Sequence, residues 1–352
     1  MNELLRALDA IEVLSPSSYA WLGRRSELAI PSLDLVSAPL RRRALVERIG
    51  LRLYIDFFTV GAPRPSQDRT ARGGRRMAEQ LAGANGGIGS FDDGWTYRRR
   101  DGARHVVERN GLMLWVDDDD LRVAGAVANA DPGDVVAVRW AKDAPIISPG
   151  FYMALGDHGF AAPRPQPLDR FYLNVGPAGA VTLMGHATRR LNGAGLPFRL
   201  KIVDDPDGYD RCDTAVLVVQ RRDRDRAFDE VWGIHTAIAA HLRAGTPALA
   251  KRLAPGLAFA EDPGGGRSFG AHRCDLIAAA VVDAFEQGVP GVDGRLEVAY
   301  RHFAAAGVSL DAPHLGGDRP AGSVGEPTAA VCLSSARTRS SGGRRGAAPR
   351  RS

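Results

Sequence analysis

The chain of 352 residues contains few cysteines and has no long apolar run. Cys212, Cys274 and Cys332 are far apart and form no CxxC pair, so we expect free thiols in a reducing cytoplasm. No segment approaches the roughly 18 apolar residues that a membrane span needs, and the N-terminus lacks the layout of a signal peptide. The sequence therefore predicts a cytoplasmic protein without membrane association.

The body of the chain also lacks a net charge. The formal charge of the whole chain is +5, and a basic chain can indicate a nucleic-acid partner. All of this excess lies in residues 316–352, which contain seven arginines and two acidic residues. That segment is rich in Gly, Ser, Ala and Pro, so we expect a disordered tail. Nucleic acid is therefore not an expected partner.

Lysine is scarce as well: only Lys142, Lys201 and Lys251 occur among 46 basic residues. An arginine does not lose its proton in a protein, so a lysine in such a chain indicates a position where a neutral amine is useful. Lys201 lies in a segment rich in other cations, which would lower its pKa and favour the free base. Chance is the competing explanation, and Lys142 and Lys251 have no comparable surroundings.

Residue patterns along the chain predict an α+β protein with four regions. We expect a mostly helical region at 1–90, a strand-rich region at 91–160, a mixed α+β domain at 161–315 and the tail at 316–352. Helical spacing of apolar residues supports the first region. Short alternating segments separated by turn residues support the second.

Several motifs have a simpler structural explanation. GANGGIGS at 83–90 follows a helical segment rather than a strand, so we interpret it as a loop and not as a dinucleotide site. Four consecutive carboxylates, Asp117 to Asp120, are more typical of a solvated hairpin turn than of a cation site. Walker, GxSxG and HExxH motifs are absent from the sequence. We therefore expect no metal and no cofactor.

Three predicted strands share a polar face of unusual composition. Alternation places these groups together: Arg170, Tyr172 and Asn174; Arg199 and Lys201; and Tyr209, Arg211 and Asp213. A sheet with one solvated face is by itself the commoner explanation. However, a face dominated by Arg, Lys and Tyr is suited to holding an anion.

A fourth element can contribute to such a site. A Gly-rich turn at 263–266 precedes Ser268, which we predict to cap a helix with His272 and Arg273 in its first turns. The N–H groups of this helix end would favour an anion, although a plain loop and cap explains the pattern equally well. A base with a phosphate clamp, without a nucleophile or metal, indicates elimination of phosphate rather than hydrolysis.

The segments ISPGFYMALGD, DRFYLNV, LPFRLKIVDDPDGYDRCDTAVLVV and RSFGAHRCDLIAAAVVDAF, with YAWLGRR and LRLYIDFF, resemble the HopA-type family of bacterial type III effectors. The resemblance covers roughly residues 3–315. Similar proteins accompany a small kinase-like partner in class V lanthipeptide and thioviridamide-like biosynthesis. The resemblance implies that the kinase phosphorylates Ser or Thr of a precursor peptide, and that the HopA-like protein eliminates the phosphate to give dehydroamino acids.

A more distant similarity is to the phosphothreonine lyases. LKIVDD is similar to the strand that carries their lysine base, which implies that role for Lys201. DRFYLNV is similar to the strand that carries their phosphate-binding lysine and their histidine acid, and this chain has Arg170 and Tyr172 there. The chain departs from the lyases at Val218, where they have a tyrosine.

The resemblance thus implies two sets of residues. Lys201 is the implied base, with Tyr172 or His272 as the acid. The implied substrate and phosphate contacts are Arg170, Arg199, Arg211, Arg273, Tyr209, Asn174 and Ser268. Two alternatives stay open: a non-catalytic, effector-like interaction protein, and a scaffold that recruits the peptide to its kinase.

Overall fold

The computed structural model describes residues 2–29, 35–65, 75–123, 130–144, 147–159 and 166–316. These residues form seven α-helices and fourteen β-strands, which confirms the predicted α+β class. Met1–Arg319 form one compact unit. The predicted disordered tail lies outside the described residues from 317 onward, and so does Cys332.

The N-terminal region contains helices, as its periodicity predicts, but also a small antiparallel sheet. In chain order the elements are α1 (Asn2–Asp9), β1 (Ile11–Ser15), β2 (Ser18–Trp21), β3 (Arg24–Glu27) and α2 (Ala38–Asp56). The spacing of apolar residues predicts a helix as far as position 14, whereas the helix ends at Asp9 and Ile11 begins a strand. Strands of four or five residues are too short to show a distinct alternation.

The strand-rich middle forms a second sheet after helix α3 (Arg75–Ala84). Its strands are β4 (Phe91–Asp101), β5 (Arg104–Arg109), β6 (Leu112–Val116), β7 (Leu121–Val123) and β8 (Val135–Arg139), in the spatial order β6-β5-β4-β8-β7. All neighbours are antiparallel. Trp95 and Tyr97 pack with buried valines in a separate small core.

The central sheet has six antiparallel strands. They are β9 (Phe151–Leu155), β10 (Leu168–Leu173), β11 (Phe198–Val203), β12 (Ala215–Gln220), β13 (Lys251–Ala254) and β14 (Leu257–Glu261). Their order across the sheet is β13-β14-β10-β12-β11-β9. Because β10 and β12 lie inside the sheet, their alternating residues are buried on both faces.

Helices cover both faces of the central sheet. Helices α4 (Pro177–Gly193) and α5 (Arg224–Ala237) share a core with Phe171 and Leu217 on one face. Helices α2, α6 (Phe269–Glu286) and α7 (Gly291–Ala305) pack with Tyr172 and Val216 on the other. The candidate site lies on this second face.

Two motifs of the sequence are connections between elements, and the Gly-rich one is a loop, as predicted. In the Gly-rich loop, the backbone N–H groups of Ile88 and Gly89 donate to the Asp157 carboxylate at 2.8 and 2.9 Å. The loop therefore holds a carboxylate of its own chain. In the acidic turn, Arg104 and Arg139 pair with the carboxylates of the Asp117 to Asp120 run. The turn connects β6 to β7, which lie at opposite ends of the strand order and are not paired, and its residues Asp118–Asp120 form a 3-10 helix; the predicted hairpin is therefore wrong.

The predicted strand at 209–215 is wrong for most of its length. Residues Pro206–Gly208 form a 3-10 turn that the Asp205 carboxylate caps, and strand β12 begins only at Ala215. Alternation therefore does not apply between 209 and 214. The hydroxyl of Tyr209 instead donates to the backbone carbonyl of Val203 at 2.7 Å, which fixes this loop against β11.

Candidate active site on the central sheet

The register of the central sheet brings the polar residues of β10 and β11 onto one surface. Tyr172 and Lys201 pair with the same residue of the strand between them, Val216. Arg170 and Arg199 pair in the same way with another valine of β12. Paired residues of antiparallel strands project to the same side of a sheet. Tyr172 and Lys201 are thus two strands apart, with backbones separated by roughly 10 Å.

Lys201 lies at the centre of this surface. Its Nζ is 4.6 Å from the ring centroid of Phe151 on β9, and Cζ of Arg211 is 5.2 Å from the same centroid. Burial, together with Arg170 and Arg211, lowers the pKa of Lys201 to about 8, and Asp213 opposes this shift. The sequence predicts a lowered pKa for Lys201 from its neighbouring cations, whereas in the structure burial is the largest cause of the lowering.

Arg211 is held in place by an acidic and an aromatic partner. Both its Nε and its Nη2 donate to the carboxylate of Asp213, with Nη2 at 2.7 Å. It also interacts with Tyr54 of α2, whose pKa is raised to about 12 by burial and by Asp213. The guanidinium is therefore fixed beside Lys201. Tyr54 is not among the site residues that the sequence predicts, because no local pattern connects α2 to this sheet. Asp213 is grouped with Arg211 by the sequence but is given no role there.

Tyr172 is buried among aromatic rings next to this group. Its ring packs edge-on against Phe58 at 6.1 Å and at a tilt against Phe269 at 6.4 Å. Burial raises its pKa, and Arg170 lowers it less. The phenol thus stays protonated at physiological pH and can donate a hydrogen bond, while the raised pKa makes it a weaker acid than a phenol in water.

The two arginines of this surface have different environments. Nε of Arg170 donates to Asp262 at 2.6 Å, and both side chains are largely buried. Asp262 follows β14 and also accepts from the N–H of Gly264 at 2.9 Å. Arg199 is exposed on β11, two residues before Lys201. Arg199 is therefore the arginine of this pair that solvent reaches.

The first turns of α6 carry Ser268 and His272. Ser268 is the N-cap, as predicted, and its Oγ accepts from the N–H of Ala271 at 3.4 Å. Nδ1 of His272 is 2.6 Å from Nη1 of Arg273. Burial, Arg273 and Arg267 lower the pKa of His272 to about 4. The imidazole is therefore neutral at pH 7, which disfavours it as a proton donor.

Arg273 is buried and bonded to the chain that follows α7. Its Nε donates to the carbonyl of Pro313 at 2.8 Å, and its Nη2 donates to the carbonyl of Leu315 at 2.6 Å. Burial lowers its pKa to about 10. Arg273 therefore uses two of its nitrogens to anchor the segment that follows α7.

Asn174 and Tyr209 are bonded to groups other than Lys201. Oδ1 of Asn174 accepts from Nη2 of Arg243 at 2.8 Å, and its Nδ2 donates to the carbonyl of Gly245 at 2.9 Å. The hydroxyl of Tyr209 is bonded to the Val203 carbonyl. Strand alternation in the sequence groups Asn174 and Tyr209 with the site, but in the structure neither residue is bonded to Lys201.

Comparison with known proteins gives a family. Residues 142–315 match the sequence profile of the HopA1 effector protein family. These residues belong to the HopA1 family. This finding confirms the resemblance to HopA-type effectors, and the HopA1-family region contains every site residue that the sequence predicts. Tyr54 and Phe58 lie before the HopA1-family region, so α2 completes the site from outside it.

Two solved effector structures are similar to this chain. The effector protein from Pseudomonas syringae pv. tomato strain DC3000 is 17% identical, with 78% of this chain and 95% of that chain covered and a TM-score of 0.46. The effector protein from Pseudomonas syringae pv. syringae strain 61 is 13% identical, with 78% and 97% covered and a TM-score of 0.42. No curated protein matches the chain.

Two kinds of feature are absent from the described residues. None of their helices combines the length and the hydrophobicity that a membrane crossing requires. Nor do three or more of their His, Cys, Asp or Glu side chains converge as ligands of a metal ion would.

Proposed function

We propose that this protein is a phosphoserine/phosphothreonine lyase that eliminates phosphate from a phosphorylated precursor peptide. A kinase-like partner supplies the phosphorylated peptide, and the products are dehydroamino acids of a peptide natural product. The observation that carries the proposal is Lys201, a partly buried amine with a pKa lowered to about 8, which lies beside Arg211 and in line with Tyr172 across the sheet.

Lys201 acts as the base. With a pKa of about 8, about a tenth of the lysine is neutral at pH 7, whereas an ordinary lysine is almost wholly charged. The neutral amine takes the Cα proton of the phosphorylated residue. The negative charge that develops on the adjacent backbone carbonyl is stabilised by the fixed guanidinium of Arg211. A general base near neutral pH is what elimination from an unactivated peptide carbon requires.

The leaving phosphate is the second half of the reaction. The electron pair of the broken Cα–H bond forms the Cα=Cβ double bond, and the Cβ–O bond breaks with its electron pair on the phosphate. Arg199 and Arg170 supply positive charge for the phosphate, and the Tyr172 hydroxyl donates a proton to its departing oxygen. Lys201 then returns its proton to solvent, and the Tyr172 phenolate takes up a proton from solvent, which restores both side chains. Atoms and charges balance without an oxidant, a reductant or water as a reactant.

Mass spectrometry of a phosphopeptide tests this proposal. Synthetic peptides with one phosphoserine or phosphothreonine are incubated with the protein, with Lys201→Ala and with the control Lys251→Ala, which removes an exposed lysine from β13. We expect the peptides to lose phosphoric acid when they are incubated with the unchanged protein or with Lys251→Ala. The rate with Lys201→Ala is expected to fall by roughly 10²–10⁴-fold.

Two results would contradict the proposal. Recovery of free serine or threonine would mean hydrolysis rather than elimination. Full activity of Lys201→Ala would remove the lysine from the chemistry. Tight binding of the phosphopeptide without any product, when the kinase-like partner is also present, would favour the scaffold or the interaction protein.

A further inference from the structure

A positively charged cavity adjoins the Lys201 site. Its volume is about 460 Å³, and it lies between the segment after α2, the end of β10 and the loops that precede β12 and β13. Arg64, Arg211 and Arg243 line it, and Asp210 is the carboxylate among the described lining residues. Apolar side chains before Arg64 form one part of the wall, and Asn174 and Cys212 complete it. The cavity therefore combines an excess of positive charge with a wall that suits an aliphatic stem.

Arg64 lines this cavity and has a donor nitrogen that no described residue satisfies. Its Nη1 donates to the carbonyl of Asp210 at 2.9 Å and to the carboxylate of the same residue at 3.0 Å. Its Nη2 is buried and has no hydrogen-bond partner within the described part of the chain. A buried donor without a partner costs about 1–3 kcal/mol, more for a charged group, so a bound anion would stabilise this arrangement.

Arg211 connects the cavity to the site of the proposed reaction. Its backbone carbonyl accepts from Nη2 of Arg243 at 3.1 Å, at the cavity wall. Its guanidinium lies over the ring of Phe151, where Lys201 also lies. Arg211 thus contributes to both the cavity wall and the surface around Lys201.

We infer that the cavity binds a second anionic group of the same peptide, close in sequence to the residue that loses its phosphate. The group is either the carboxylate of an Asp or Glu or the phosphate of a second phosphorylated residue. This inference rests on the proposed function, because it takes the reacting residue to lie at Lys201. It makes the enzyme selective for peptides that carry two negative charges at a fixed spacing.

Binding of short synthetic peptides to Lys201→Ala protein tests the inference. Each peptide contains one phosphoserine in an alanine and glycine background, with a single Asp moved through the four positions on either side. A matched set has Asn in place of Asp, and a third set has a second phosphoserine. We expect Asp to tighten binding about tenfold over Asn at one or two positions, with a loss of this gain at high salt. The phosphoserine set shows whether carboxylate or phosphate binds more tightly.

Protein variants assign the effect to the cavity. In the Lys201→Ala background, Arg64→Gln and Arg243→Gln should abolish the Asp preference and leave binding of the Asn peptides unchanged. The control Arg252→Gln, at an exposed position of β13, should keep the preference. Equal binding of Asp and Asn peptides at every position would overturn the inference whether or not the variants fold, and so would a preference that survives both substitutions. Because binding is measured without turnover, a protein that shows the preference but never eliminates phosphate would refute only the proposed function.

Discussion

Lys201 and Arg211 lie against the same aromatic ring, that of Phe151, with Nζ at 4.6 Å and Cζ at 5.2 Å from its centroid. The two cations stay together because Asp213, which is 1% exposed, holds the guanidinium with two hydrogen bonds. A lysine in such surroundings loses its proton more readily than one in water. This relationship leads to five testable predictions.

The rate of phosphate elimination should rise with pH and level off above a pH of about 8. Above its pKa Lys201 is neutral and can accept a proton, and below it the amine is already protonated. Initial rates of phosphate release between pH 6 and 10 measure this rise and the plateau that follows it. A rate that does not change over this range would contradict a lysine base.

Lys201→Arg separates the base from a simple cation. Arginine keeps the positive charge but does not deprotonate at these pH values, so we expect binding of the phosphopeptide to persist and elimination to fall roughly 10²–10⁴-fold. Binding by calorimetry and single-turnover rates give the two quantities. An active Lys201→Arg protein would show that this position supplies only charge.

Asp213→Asn should change both the pH profile and the stability. Asp213 raises the pKa of Lys201, so its loss lowers that pKa and moves the rising limb of the rate to lower pH. Arg211 also loses its buried counter-ion, and we expect the free energy of unfolding to fall by about 3–5 kcal/mol. Rate profiles and urea unfolding measure the two effects. A folded variant whose rate rises at the same pH as that of the parent protein would mean that Asp213 does not change the pKa of Lys201.

Tyr172→Phe and His272→Gln distinguish the two candidate acids. Removing the hydroxyl of Tyr172 keeps the aromatic packing, and we expect the rate to fall roughly 10²-fold. His272 is neutral at pH 7 because its pKa is lowered to about 4, so we expect its substitution to change the rate only about two- to threefold. A larger loss of rate with His272→Gln than with Tyr172→Phe in single-turnover assays would identify His272 of α6 as the acid.

Arg273→Met tests whether this arginine holds the fold or the phosphate. Its bonds to the carbonyls of Pro313 and Leu315 predict a loss of about 2–4 kcal/mol in unfolding free energy. Limited proteolysis should cut the segment after α7 faster in the variant than in the parent protein. Unchanged stability with lost elimination would instead indicate contact with the phosphate.

The sequence by itself determines the features that depend on near neighbours. Alternation in β10 and β11 gives the shared face of Arg170 and Tyr172 and that of Arg199 and Lys201, because a strand repeats every two residues. Ser268 is recognisable as an N-cap because capping involves only the next few residues. The rarity of lysine in the chain, together with the cationic segments predicted around it, also singles out Lys201.

Only the tertiary structure decides which groups meet. The pairing of Tyr172 and Lys201 with Val216 comes from the order of strands, and Tyr54 reaches Arg211 from a helix far earlier in the chain. Burial, the main cause of the lowered pKa of Lys201, depends on helices and strands packed around it, which no local pattern records. Local sequence thus sets the direction of each side chain on its strand or helix, and long-range packing sets its partners and its charge.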